Sequence, residues 1–160
     1  MEIQFTKQSL IGIINEDVSR LAARSYAEDG SSLYDGIKIT SRDSGVQERM
    51  LEKRDARLRD LLAFCLVDEE PAPAPDEEPA PVETLQYNLS LDNVKASTLA
   101  SLKVLMREYL TDGVLYDWYT RHGIPSSIKF EDVEAMETKI VCMVRQGFVK
   151  KPLQPFGPRN

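Results

Sequence analysis

The sequence predicts a mainly α fold: a four-helix core of two long and two shorter helices, a small β-hairpin carrying a long acidic Pro-rich loop, and an extended C-terminal arm. Three observations predict it. Four segments repeat apolar residues at helical spacing. The prolines avoid all four: of nine, five lie in 71–81, three in 152–158, and the last is Pro125. A ring without an N–H would break a helix interior, so this placement fits. Finally, Leu85, Tyr87, Leu89 and Leu91 alternate with Gln86, Asn88 and Ser90, the period of a half-buried strand. A chain of 160 residues suits a single domain over 1–147, with residues 68–83 inserted as a loop and 148–160 as the arm.

The first helix is expected from about Lys7 to Ala27, after Thr6 as a fair N-cap, with Leu10, Ile11, Ile14, Val18, Leu21 and Ala22 on one face. Residues 29–43 read as a loop in which LYDGIKIT is a candidate short strand. The second helix starts at Ser44, which has capping-box spacing to Gln47. Its apolar stripe is thin (Val46, Met50, Leu51, Leu58, Leu61, Leu62), and its other face carries charges of both signs. The run AFCLV that follows either closes this helix or starts a strand facing Leu85–Leu91. The third helix, about Val94 to Arg121, is apolar over more than half its circumference, from Leu99 through Tyr109 to Trp118. Such a helix is packed on more than one side, either centrally or at a subunit boundary. Gly113 in its middle points to a close contact or a bend. His122-Gly123 followed by Pro125 is a strong stop. The fourth helix, about Lys129 to Gln146, is antiparallel to the third because the link is short.

Charge is sorted by segment within a net −6. DEEPAPAP (68–75) and DEEPAPVE (76–83) form an eight-residue repeat with seven acids and no base, while 145–160 carries +4 from Arg145, Lys150, Lys151 and Arg159. The acidic repeat has nothing to bury and should be extended and solvated.

Little here points to catalysis. There is one histidine, His122, and the eight glycines form no phosphate loop. Cys65 and Cys142 sit in apolar runs, read as buried, reduced thiols, and zinc spacing is absent. Carboxylate pairs such as Asp132/Glu134 and Asp112/Asp117 are expected on solvent faces. Trp118, Tyr116 and Tyr119 read as core or interface aromatics, not as a base-stacking platform. No cofactor or metal is expected, no stretch of 18 apolar residues offers a membrane span, and the N-terminal MEIQFTKQSL has no secretory pattern. The tail Pro152-Leu153-Gln154-Pro155-Phe156-Gly157-Pro158 fits a polyproline II arm. Two large apolar groups on it, Leu153 and Phe156, call for a neighbour's surface.

The order of features, including "LQYNLSLDN", "LMREYLTDGVLYDWY" and "VKKPLQPFGP", resembles small structural proteins encoded among the head and tail genes of phages and prophages of gut Bacteroides-type bacteria. That resemblance implies a head–tail connector or neck component, assembled as a ring, located in the virion and in the host cytoplasm during assembly. It implies no catalytic or ligand residue. The expected partners are further copies of the chain, neighbouring phage portal or tail proteins, and non-specific proximity to DNA. The expected contact residues are Lys150, Lys151, Leu153, Pro155, Phe156 and Arg159 on the arm, Leu85, Tyr87 and Leu89 on the strand, and Trp118 on the long helix. The acidic loop either lines a channel and repels DNA or docks on a basic partner. The other reading of the chain is a transient interaction module, an assembly chaperone or regulator holding a partner through its acidic loop and basic arm.

Overall fold

A computed structural model describes residues 1–24, 44–67, 83–91 and 94–147. Their order is strand β1 (Glu2–Thr6), helix α1 (Lys7–Arg24), helix α2 (Ser44–Leu62), strand β2 (Thr84–Asn88), helix α3 (Ala96–Arg121) and helix α4 (Phe130–Gly147). The fold is mainly helical with one small antiparallel sheet. The candidate strand in 29–43, the acidic repeat from Asp68 to Val82 and the C-terminal arm lie outside the described residues.

Of the two placements open to the long helix, the fold takes the central one. α1, α2 and α4 each pack against α3. Its Leu102, Met106, Tyr109, Leu110, Val114 and Trp118 are buried on several sides at once. α4 returns antiparallel: Met143 sits beside Leu105, Tyr109 bonds Glu137, and the Tyr116 and Phe130 rings meet at 6.1 Å. The turn between them follows the stop signal. His122 caps α3, and Gly123 takes φ 65°, a left-handed conformation that glycine adopts without strain. At the start of α4, the Lys129 N–H donates to Asp132 Oδ2 (3.0 Å), and Glu131 and Asp132 lie in the first turn, where carboxylates favour the helix dipole.

The sheet corrects one expectation. β2 pairs antiparallel along its whole length with β1, in the register Ile3–Tyr87 and Phe5–Leu85. The AFCLV run contributes only the bridge Leu66–Leu89 on the other flank of β2. β1 was not foreseen, although Ile3 and Phe5 alternate with Glu2, Gln4 and Thr6 in the pattern of a one-faced strand. The inward residues of both strands close one end of the helical core, with the Phe5 and Tyr87 rings edge to face at 6.3 Å.

Three further expectations change. Cys142 is exposed, whereas Cys65 is buried, because position 142 falls outside the inward Val133–Ile140–Val144 stripe of α4. Gln47 does not close a capping box: its side chain is fully buried and, among the described residues, neither amide atom has a hydrogen-bond partner. Leu85, Tyr87, Leu89 and Trp118, expected to meet neighbours, are at most 2% exposed. They face their own core, because β1 and the surrounding helices supply the apolar surface they need.

Candidate functional site

Charged and phenolic groups at the helix junctions form a ladder that locks the bundle. Arg54 of α2 donates from Nε and Nη2 to Asp117 of α3 (3.0 and 2.7 Å), and this pair is mostly screened from water. Arg57 donates to Glu137 of α4 (3.0 Å), which also accepts from Tyr109 Oη (2.9 Å). Tyr87 Oη donates to Asp55, whose carboxylate also takes Arg59 (3.0 Å), while the Arg59 guanidinium lies 5.0 Å over the Tyr87 ring. Burial, then the bond to Glu137, pushes the Tyr109 phenol up to about 12. Burial and Asp55 together hold the Tyr87 phenol far above its ordinary value. These groups are saturated with one another, and bidentate arginine pairs of this kind fix orientation between elements. His122 is likewise local: its Nδ1–H donates to the Trp118 carbonyl (2.8 Å), with the two rings 4.4 Å apart.

An acidic junction lies between α1 and α3. Burial raises Asp112 above the usual carboxylate range, and Glu108 and Asp17 add to the shift. Among the described residues, no group of three or more His, Cys, Asp or Glu side chains could hold a metal ion. No described helix is long and apolar enough to cross a membrane.

The candidate site is instead the outer face of the N-terminal half of α3. Val104 is 43% exposed there. On one side of it runs a groove of about 520 Å³ lined by Gln4, Phe5, Thr6, Ser9 and Leu10 from β1 and α1 and by Ala100, Lys103, Val104 and Arg107 from α3. On the other side lies an open hollow of about 470 Å³ formed by Ala100, Ser101, Val104, Leu105, Glu108 and Met143. The small side chains of Ala100 and Ser101 leave Val104 standing between the two depressions. Lys103 and Arg107 border the first, Glu108 the second. Among the described residues neither Lys103 nor Arg107 forms an ion pair.

Of the expected contact residues, Lys150, Lys151, Leu153, Pro155, Phe156 and Arg159 lie outside the described residues, and the other four are in the core. The face around Val104 was not read from the sequence. Its signal is an apolar residue off the main stripe of α3, flanked by Lys103 and Arg107. In a helix apolar over most of its surface, that signal is lost among its neighbours. Comparison with protein-family models, with curated proteins and with solved structures finds no match to this chain.

Proposed function

We propose that the chain is a non-enzymatic structural adaptor of a tailed-phage particle that oligomerises, as a ring at the head–tail junction, through a helix face and its C-terminal arm. The observation that carries self-assembly is the open apolar hollow around Val104, which no described residue covers. One turn beyond Met143, which lines it, α4 ends at Gly147 and the arm begins. The arm offers Leu153 and Phe156 with Lys150 and Lys151. The hollow offers Val104, Leu105 and Met143 with Glu108 at its border, a matching combination of apolar floor and opposite charge. An arm seated on the next copy makes a heterologous contact, the kind that closes into rings, and adds affinity without a large globular interface. The phage setting, with portal or tail proteins as further partners and DNA nearby, comes from the resemblance, which spans most of the chain.

Light scattering on the full chain tests this reading. The expected result is a discrete oligomer that both Val104→Glu and truncation after Gly147 dissolve, with the helical circular dichroism intact. A chain that stays monomeric at every accessible concentration overturns self-assembly and favours the transient interaction module.

A further inference from the structure

The two edges of the small sheet differ. The Leu89 N–H donates to the Met1 carbonyl (2.7 Å) and the Lys7 N–H to the Glu83 carbonyl (2.8 Å). With the register of the two strands, the odd residues of β1 therefore exchange hydrogen bonds with β2. Glu2, Gln4 and Thr6 turn their N–H and C=O groups to the opposite edge. The far edge of β2 is covered: the Gln86 carbonyl accepts from Arg59 (3.0 Å) and the Asn88 carbonyl from the Val67 N–H (2.8 Å). Among the described residues the outer edge of β1 has no such cover, and no described strand pairs with it. Gln4 and Thr6 of that edge line the groove, with Lys103 and Arg107 along its α3 border. An open strand edge is a template for another chain.

The acidic repeat has a property that matches this edge. Its prolines are residues 71, 73, 75, 79 and 81, all odd. In an extended chain, residues of one parity turn their N–H groups to one edge. Every missing N–H of this stretch therefore falls on the same edge. The even-numbered residues from Glu70 to Val82 keep theirs on the other. Such a strand can pair on one side only, which suits a terminal strand and stops further addition. Its charge also matches: residues 68–83 carry seven acids and no base, and Lys103 and Arg107, one helical turn apart, form no ion pair among the described residues.

We propose that the outer edge of β1 accepts the stretch 68–82 of a second copy, added as a strand in the groove between β1 and α3. The even residues bond to Glu2, Gln4 and Thr6, so the odd-numbered side chains share the face of Phe5 and turn to the groove, where the prolines cover Phe5 and Val104 and Glu69 or Glu77 meets Lys103 and Arg107. In its own chain the stretch departs from Val67, on the far flank of β2, whereas a neighbour's stretch carries no such constraint. This proposal rests on the self-assembly reading above and assigns it a second contact, separate from the arm.

The test is fluorescence anisotropy with a labelled peptide of residues 68–83 titrated with the full-length protein. Binding should weaken with added salt, as expected for exposed charges. It should fall about tenfold for Lys103→Glu/Arg107→Glu. A peptide of the same composition whose prolines are moved to both parities should bind comparably poorly. Equal binding of the two peptides overturns strand addition. So, in protein that light scattering finds monomeric, does binding that appears only when residues 69–81 are replaced by a Gly–Ser linker, because the site is then filled from its own chain. Oligomers that vanish on truncation after Gly147, yet persist unchanged in Lys103→Glu/Arg107→Glu, leave self-assembly standing and overturn this contact.

Discussion

Arg54 lies directly across Gly113: a Cβ built on the glycine would stand 2.9 Å from both Cδ and Nε of the arginine. Glycine in the middle of α3 is therefore a passage. It lets the guanidinium of α2 cross the central helix and reach Asp117 one turn further on.

Gly113→Ala should consequently destabilise the fold despite alanine's better helix propensity. The propensity gain is about 1 kcal/mol, while displacing a largely buried ion pair costs on the order of 2–4 kcal/mol. A net loss of about 1–3 kcal/mol should appear in urea unfolding. In an Arg54→Ala background the same substitution should be neutral or stabilising. The double-mutant cycle thus reads the crossing directly, and additive effects would remove the argument.

Gln47 offers the reverse case. Its amide is fully buried with no hydrogen-bond partner among the described residues, and leaving such a group unsatisfied costs about 1–3 kcal/mol. Gln47→Met keeps the length and volume of the side chain without the amide. The urea midpoint should rise, by about 1–2 kcal/mol of stability at an unchanged m-value.

Asp112 gives the chain a pH signature. Its folded pKa lies above the ordinary 3.8 through burial, with Glu108 and Asp17 adding to it. A carboxyl raised in this way favours the folded state below its unfolded pKa, and that contribution is lost as pH rises through the folded value. At neutral pH the ionised group therefore opposes folding. Asp112→Asn should raise the melting temperature there by about 1–4 °C. The difference between variant and parent should close as the pH falls to the ordinary carboxylate range, and a difference independent of pH would contradict the assignment.

The two thiols should separate cleanly in a labelling experiment. Cys65 is 3% exposed, its Sγ–H donates to the Leu62 carbonyl (3.2 Å), and burial pushes its thiol up to about 11. Cys142 is exposed on α4. Ellman's reagent should titrate one thiol in the folded chain and two after denaturation, and Cys142→Ser should abolish the native-state reaction.

Much of the fold was legible along the chain. Ser44 as the start of α2, Arg121 as the end of α3, the Gly123 stop and the inward alternation of Leu85, Tyr87 and Leu89 all rest on short-range rules. Periodicity, the φ preference of glycine and the missing N–H of proline act within a few residues, so a single stretch expresses them. Gly113 carried a signal too, a contact or a bend, without naming the contact. The face around Val104 left almost no trace, since whether an apolar side chain is covered depends on which other elements reach it.

The residues by themselves determined four helices and one alternating strand, because each follows from the local backbone and its neighbours, and they sorted charge into an acidic proline-rich stretch and a basic C-terminal segment. Tertiary structure alone decided that β2 pairs with β1 across some eighty residues of chain, that Arg54 finds Asp117 at a separation of 63, and that the broad apolar surface of α3 is mostly enclosed by its own helices. Those outcomes are non-local. Many apolar faces and opposite charges are chemically interchangeable, and only simultaneous packing in three dimensions selects which of them meet.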